Sequence, residues 1–345
     1  GFADLCLTTW LPRRRWWAYF LTITQRQNSR RRRLYNEEVP GSVRAMLICF
    51  AFFAAGALHA QSGLMPLSEI RPGMAGTGRT VFRGGAVEEF QAEILGILEN
   101  VGPRQSIILA RLSGGPLDKT GVLQGMSGSP VFIDGRLIGA VALSFAFSKE
   151  PIAGIRPIAE MLEDSHSPSP RPAPLQAAAL PPRAEFQAGP ARLVEIATPL
   201  WMAGFSRSTL DHFGPALRHA GLEPVQGASG GGQPVPNTTG RRPQPGEMIS
   251  VQLMTGDLSV GADGTVTHVD GDRVYAFGHR FLSGGETAMP FARAEVITLL
   301  ANQNLSFKIS SPKEWMGAIL DDRSAAISGR IGEKVSLLPL AIQVS

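Results

Sequence analysis

The stretch Gly125-Met126-Ser127-Gly128-Ser129-Pro130 decides how this 345-residue sequence is interpreted. The apolar run 131–141 follows it and contains Asp134-Gly135, which predicts a strand, a tight turn and a second strand. Glycine permits backbone angles that side chains forbid, so a serine between glycines can be brought close to a reacting carbonyl. The N–H groups of Gly125 and Ser127 would then point at a developing oxyanion. We therefore take Ser127 as a candidate nucleophile, although the spacing is not that of a Gly-x-Ser-x-Gly elbow.

The composition is that of a globular protein rich in turns, with 43% apolar residues, 18% charged residues, 39 Gly and 26 Pro. The net charge of +4 is misleading, because residues 1–45 carry nine Arg and three acidic residues, so the remainder has a net charge of −2. This distribution argues against nucleic acid as a partner. Cys6 and Cys49 both precede the predicted mature start, so the mature chain has no disulfide and no thiolate metal site.

Residues 46–60 are predicted to be a secretory signal peptide. This apolar run follows Arg44, is too short for an ordinary membrane span, and ends in a loose small-x-small site before Gln61. Residues 1–45 are interpreted as an upstream or basic leader outside the mature protein, with translation starting near Val43 or Met46. The alternative is a single anchor helix with a basic flank. We expect export to the periplasm or the extracellular space, with membrane contact only through the signal segment before cleavage.

The rest of the chain is predicted to be mainly β, because short runs of alternating or continuous apolar residues are separated by Gly and Pro. The glycine-rich run 73–78 is interpreted as a turn rather than a phosphate loop, since no Gly-Lys-Ser/Thr follows it. The end of the sequence interrupts an apparent strand at 341–345, so we expect C-terminal truncation. The predicted division is a serine-bearing β domain at 61–164, a Pro/Ala linker at 165–190, a small α/β insert at 191–226, a Gly/Pro linker at 227–247 and a histidine-bearing β domain at 248–345.

His279 is the candidate general base for Ser127, because histidine is the side chain whose ordinary pKa suits proton transfer near neutral pH. A carboxylate on its other ring nitrogen would fix the tautomer. Asp118, Asp270 and Asp272 are alternatives for that acid, and a dyad without an acid is another. His212 and His219 lie on one side of a predicted helix without a third ligand, so neither a metal site nor a cofactor is predicted.

The serine region 121–141 resembles that of the SpoIVB peptidase family (family S55), whose members are serine peptidases of trypsin-like type. Val274-Tyr275-Ala276-Phe277-Gly278-His279 resembles the family's histidine segment, and 317–332 resembles the stretch that follows it. The resemblance implies trypsin-like β-barrel halves. Here the serine block precedes the histidine block, which is the reverse of the family order. The family's Asp falls near Ser113, where this chain has no carboxylate, and Asp118 is the nearest substitute.

The sequence therefore predicts an exported serine endopeptidase that hydrolyses peptide bonds through an acyl-enzyme on Ser127. His279 is its general base, Gly125 and Ser127 supply the oxyanion hole, and protein or peptide is its substrate. The alternative is a catalytically inactive envelope protein of the same fold that binds peptides or partner proteins. Ester or glycan hydrolysis is a weaker hypothesis, because no paired carboxylates at a recognisable spacing suggest glycoside chemistry.

Overall fold

The computed structural model describes residues 63–166, 180–189, 191–227 and 233–341, all within one compact unit, Gln61–Ser345. The predicted leader and signal peptide, with Cys6 and Cys49, lie outside the described residues. So do much of the first predicted linker, residues 228–232 of the second, and residues 342–345 of the strand predicted at 341–345. None of the helices in the described part of the chain has the length and hydrophobicity that a membrane span requires.

The described chain contains sixteen strands, three α-helices and a 3₁₀ turn at Leu67–Glu69. The helices are α1 (Leu117–Thr120), α2 (Ile158–His166) and α3 (Arg207–His219). The strands are β1 (Ala75–Thr80), β2 (Glu88–Gly102), β3 (Gln105–Ser113), β4 (Pro130–Ile133), β5 (Arg136–Phe145), β6 (Ile152–Pro157), β7 (Glu185–Ala188), β8 (Ala191–Glu195), β9 (Thr198–Ala203), β10 (Leu222–Gln226), β11 (Met248–Met254), β12 (Ser259–Asp270), β13 (Arg273–Ala276), β14 (Gly285–Leu300), β15 (Phe307–Asp322) and β16 (Ile327–Ile331).

The first sheet runs β4-β1-β2-β3-β6-β5-β8-β7, and an additional pairing of β4 with β5 closes six of these strands into an antiparallel barrel. The predicted turn between β4 and β5 has positive φ at both central residues, 50° at Asp134 and 75° at Gly135. This is the geometry that joins two antiparallel strands most tightly. We call this closed ring the first barrel.

The second sheet runs β10-β9-β12-β11-β14-β15-β16-β13, and an additional pairing of β12 with β13 closes six of its strands into a second antiparallel ring, here the second barrel. The predicted fold class, mainly β with barrel halves, is thus confirmed. Residues 191–226 do not form a sheet of their own. β8 pairs with β5 of the first sheet, whereas β9 pairs with β12 and β10 of the second.

Alternating apolar residues explain why these segments form barrel strands, since successive side chains of a strand point to opposite faces. Phe90, Ala92 and Ile94 of β2 are buried in the core of the first barrel. Ile249 and Val251 of β11 are buried in the core of the second.

The glycine-rich run predicted as a turn is instead largely part of β1, so that prediction was wrong. Gly76 and Gly78 lie in the strand because neighbouring groups fill the space of their side chains. A Cβ on Gly76 would lie 2.9 Å from Phe132 O, and one on Gly78 would lie 2.0 Å from the Phe90 ring.

Two apolar clusters join residues of the two barrels. One contains Leu137 and Ala140 of β5 together with Tyr275 of β13. The other contains Val81, just after β1, together with Met248 and Val296 of the second barrel. The serine stretch and His279 both lie at this junction, as described next.

Candidate active site

The stretch around Ser127 is a tight turn between α1 and β4 that is anchored in the first barrel. Gly125 and Gly128 adopt φ values of 85° and 92°, which favour glycine. Between them, the Met126 side chain is fully buried in the core of the first barrel. The Met126 N–H donates to Leu123 O at 3.1 Å, and the Gly128 N–H donates to Val141 O at 2.8 Å. The turn is therefore held rigidly on both sides of Ser127.

The N–H groups of Gly125 and Ser127 form no hydrogen bond with any residue that the structure describes. They are the two amides that the sequence assigned to an oxyanion hole. The N–H groups of Met126 and Gly128 are already hydrogen-bonded to carbonyls of the fold. The free donors are therefore those of Gly125 and Ser127, which alternate with them along the turn. Such a pair of unused donors is what a developing oxyanion requires.

The second barrel holds the same turn from the opposite side. The Thr265 N–H donates to Ser127 O at 2.9 Å, and the Thr265 hydroxyl donates to Gly125 O at 2.9 Å. The Thr267 hydroxyl donates to Gly128 O at 2.7 Å. Thr265 and Thr267 are alternate residues of β12 and so lie on one face of the strand. The backbone of the serine turn is thus bonded to β12 through three carbonyl groups, those of Gly125, Ser127 and Gly128.

His279 follows β13 on a segment anchored in the second barrel. Phe277 is fully buried in that core, and it adopts a φ of 69°, followed by 71° at Gly278. A Cβ on Gly278 would lie 3.5 Å from Val141 O, the carbonyl that accepts the Gly128 N–H. The structure therefore brings the predicted serine and histidine segments together across the junction of the barrels, although they are far apart in sequence.

The tautomer of His279 follows from its one hydrogen bond. Its Nδ1 lies 2.7 Å from Arg280 O, and a carbonyl oxygen only accepts, so Nδ1 carries the proton. Nε2 then presents a lone pair, and this buried atom has no hydrogen-bond partner among the described residues. Burial lowers the pKa of His279, while the charge of Glu195 acts to raise it. The ring is therefore neutral near pH 7 and has its accepting nitrogen unused.

The Ser127 hydroxyl is likewise buried and has no partner among the described residues, so Ser127 and His279 are not hydrogen-bonded to each other. Two adjacent segments each present one unsatisfied polar atom, which is unusual because buried polar groups are nearly always paired. Hydrogen bonds of catalytic groups are often long before substrate binds and shorten in the complex.

None of the three aspartates named from the sequence contacts His279. Asp118 is exposed on α1 and forms no ion pair or side-chain hydrogen bond with the described residues. Asp270 and Asp272 are exposed at the β12–β13 hairpin, and Asp272 is paired with Arg242 at 2.8 Å. They lie away from the histidine segment because their turn precedes β13, whereas His279 follows the other end of that strand.

Two buried carboxylates near His279 were not selected from the sequence. Asp322, at the end of β15, accepts the N–H groups of Phe281, Leu282 and Gly284 at 2.8, 2.6 and 3.2 Å and so fixes the loop after the histidine. Burial raises the pKa of Asp322. Glu195, at the end of β8, is 5% exposed and lies 3.6 Å from the Arg280 guanidinium. The available signal for both was an acid at the end of an apolar strand, although β15 ends in two acids, Asp321 and Asp322.

A cavity of about 390 Å³ reaches the residue that precedes the serine turn. Gln124 is 2% exposed at this cavity, and neither atom of its side-chain amide has a partner among the described residues. The other lining residues are Arg207, Leu210, Asp211, Arg218, Glu223, Pro224, Val225, Gln226, Asn302, Asn304, Leu305 and Phe307. Ion pairs of Arg207 with Asp211 and of Arg218 with Glu223 balance its charges.

No cluster of three or more His, Cys, Asp or Glu residues in the described ranges could hold a metal ion. His212 and His219, the histidine pair considered from the sequence, are both exposed on α3. His212 lies against the Phe213 ring, with the ring centroids 4.8 Å apart.

Comparison with known proteins gives a match to a protein family. The model of a family described as SpoIVB peptidase S55 matches residues 59–162, which include Ser127 but not His279. No curated protein matches the chain, and no solved structure matches it either.

Proposed function

We propose, on the premise that residues 59–162 belong to the SpoIVB peptidase S55 family, that this chain is a serine endopeptidase acting through Ser127 and His279. The family match supports a serine peptidase at family level. The observation that carries the residue assignment is the pair of unsatisfied buried atoms, Ser127 Oγ and His279 Nε2, on segments that meet at Val141 O.

In the proposed reaction, Ser127 Oγ attacks the peptide carbonyl carbon while its proton moves to His279 Nε2. The N–H groups of Gly125 and Ser127 donate to the oxyanion of the tetrahedral intermediate. The Nε2 proton then passes to the leaving amine, which leaves an acyl-enzyme ester on Ser127. A water molecule, deprotonated by Nε2, hydrolyses this ester and restores both residues.

Arg280 supplies part of what a third catalytic residue supplies in a triad. Its carbonyl keeps the proton on His279 Nδ1, which fixes the tautomer with Nε2 unprotonated. A neutral carbonyl stabilises the imidazolium less than a carboxylate does. Burial lowers the pKa of His279, and the negative charge of Glu195 offsets only part of that effect. We expect slower proton transfer than in a site with a bonded carboxylate.

The cavity at Gln124 is the proposed approach for the substrate. Among the described residues, β10 lies at the end of the second sheet and has a strand partner on one edge only, so its other edge can pair with an extended peptide. Because ion pairs already balance the charges of the cavity, we expect an uncharged side chain of the substrate to occupy it.

A fluorophosphonate probe tests the proposal without a known substrate. The protein beginning at Gln61 should be labelled at Ser127, whereas Ser127→Ala should not be labelled, and His279→Ala should be labelled at least 100-fold more slowly. Ser144→Ala, at the half-buried end of β5, is the control and should react as the wild type does. Labelling of Ser127→Ala at the wild-type rate would contradict the assignment.

A second candidate is a non-catalytic envelope protein that binds peptides. The observations that favour it are the complete burial of Ser127 and the absence of any carboxylate bonded to His279 within the described ranges. It predicts no probe reaction at Ser127 under any condition, so the same experiment separates the two functions.

Export through residues 46–60 is also part of the proposal, and it is supported by the sequence pattern of that segment. N-terminal sequencing of the protein recovered from the periplasm or the medium should begin at Gln61. Recovery of the whole chain in the cytoplasmic fraction would contradict export.

A further inference from the structure

Lys308, near the start of β15, is a buried lysine that the reaction described above does not use. It is 0% exposed, and its Nζ contacts Thr80 Oγ1 at 2.7 Å and Met248 Sδ at 3.6 Å. No carboxylate of the described residues forms an ion pair with it. A buried ammonium group without an anion is costly, so such a lysine favours its neutral amine form.

The hydrogen bonds of Lys308 lead to the residues after Ser127. Thr80, at the end of β1, is itself fully buried, and its hydroxyl also accepts the Ser129 hydroxyl at 3.0 Å. Ser129 belongs to the serine turn, two residues after Ser127. The amine of Lys308 is therefore connected through one hydroxyl to the end of that turn.

The rest of Lys308 contacts the residues before Ser127. Its backbone N–H donates to Gln124 O at 3.2 Å. Its side-chain stem packs against Gly125, since a Cβ on that glycine would lie 3.4 Å from Lys308 Cδ and 3.5 Å from its Cβ and Cγ. One residue of the second barrel thus contacts the serine turn directly before Ser127 and is connected to it through Thr80 after Ser127.

We propose that Lys308 is a positioning residue for Ser127, and that its neutral amine holds the serine turn in its reactive geometry. Protonation of the amine places an unpaired positive charge beside Thr80 and loosens the turn at Ser129 and Gly125. This inference rests on the proposed function for its effect on reactivity, but its effect on the turn can be measured independently.

The groups around Lys308 are consistent with titration near neutral pH. Burial lowers its pKa from an ordinary value of 10.5 to about 7, and the charge of Glu88 on β2 acts in the opposite direction. Thr80 on β1, Met248 on β11 and the Phe82 ring, 5.9 Å from Nζ, are its other neighbours, and none of them carries a charge.

The first test measures hydrogen exchange in the peptide that contains residues 124–129, across pH 5.5–9 and corrected for intrinsic exchange rates. In the wild type, protection of this peptide should fall at least tenfold below a midpoint near pH 7. In Lys308→Met, which keeps the stem but cannot titrate, the step should be absent. A wild-type profile without this step overturns the proposal, even if Lys308→Met does not fold.

The second test measures the rate of fluorophosphonate labelling at Ser127 over the same range. The labelling rate of the wild type should change with the same midpoint near pH 7. Lys308→Met should lose this step but keep the decrease in rate at low pH that protonation of His279 causes. Lys308→Arg should react at least tenfold more slowly at every pH. Lys313→Met is the matched control, because the Lys313 side chain on β15 is 38% exposed and pairs with Glu295, and this substitution should leave both profiles unchanged.

The two tests separate the failure of each claim. If the exchange step is present and no variant is labelled, Lys308 positions the turn but the proposed peptidase function is wrong. Labelling profiles that coincide for the wild type and Lys308→Met overturn the positioning role while leaving the peptidase function intact.

Discussion

At Gly128 the backbones of the two barrels lie in close contact. A Cβ on Gly128 would lie 2.0 Å from Thr265 O, 2.6 Å from Phe277 N and 3.0 Å from Phe277 Cα, all of them backbone atoms. Backbone cannot rotate away as a side chain can, so the clash would have to be relieved by separating the serine turn from β12. The glycine after the nucleophile is thus required for the junction and not only for a local turn.

Gly128→Ala is therefore expected to lower the free energy of unfolding by about 3 kcal/mol and to abolish probe labelling of Ser127. Gly135→Ala is the matched control, because Gly135 also has a positive φ, 75°, but nothing lies within 4 Å of its would-be Cβ. Backbone strain alone should cost Gly135→Ala about 1 kcal/mol and leave labelling intact. Urea unfolding and labelling measure both, and equal effects at the two positions would contradict the close-contact argument.

At the scale of elements, the end of β15 fixes the loop between β13 and β14 that carries the histidine. The Asp322 carboxylate accepts three backbone N–H groups of residues 281–284. The loop therefore has little freedom to move, and His279 at its start keeps its ring against Phe277, with the centroids 6.0 Å apart. Asp322 acts on the histidine through the backbone and not through a bond to the ring.

Asp322→Asn should weaken this loop, because an amide has one accepting oxygen and its NH₂ group faces backbone donors. We expect a loss of about 2 kcal/mol in the free energy of unfolding and at least a tenfold decrease in labelling of Ser127. Asp321→Asn is the control, since Asp321 pairs with Arg323 at 3.0 Å and accepts no N–H of this loop. If Asp322→Asn has the same free energy of unfolding and the same labelling rate as Asp321→Asn, the three hydrogen bonds do not position His279.

At the scale of the whole molecule, the junction of the two barrels contains both the candidate active site and a buried lysine. Lys308 bonds to Thr80, 228 residues earlier in the sequence. The threonines of β12 bond to the serine turn over separations of 140 and 139 residues. Unfolding that separates the barrels exposes Lys308 to water, so its titration is coupled to global stability.

The free energy of unfolding should therefore rise with pH between about 7 and 10, at roughly 1 kcal/mol per pH unit from Lys308. In this range the unfolded chain binds a proton at the lysine that the folded chain does not bind, because burial lowers the pKa of Lys308 to about 7. In Lys308→Met this part of the slope should disappear. Urea unfolding at pH 7, 8 and 9 measures it, and equal slopes in the two proteins would contradict the buried-lysine explanation.

The sequence by itself determined the features that depend on short windows. Apolar alternation identified the barrel strands, Asp134-Gly135 identified the β4–β5 turn, and the glycines beside Ser127 identified a turn with free amides. In each case a few neighbouring residues fix the backbone, so no distant partner is needed to recognise it. The glycine run in β1 is the exception, because the Phe90 ring that requires it belongs to another strand.

Only the tertiary structure decided which groups surround His279 and Ser127. Sequence proximity favoured Asp118, Asp270 and Asp272, yet the groups near His279 are the Arg280 carbonyl and the buried acids Glu195 and Asp322. The same holds for Lys308 and for residues 191–226, whose strands divide between the two sheets. These outcomes depend on which strands pair and on which polar groups become buried together. An acid at the end of an apolar strand can be noticed in the sequence, but its partners cannot, because they lie on other strands and no local pattern identifies them.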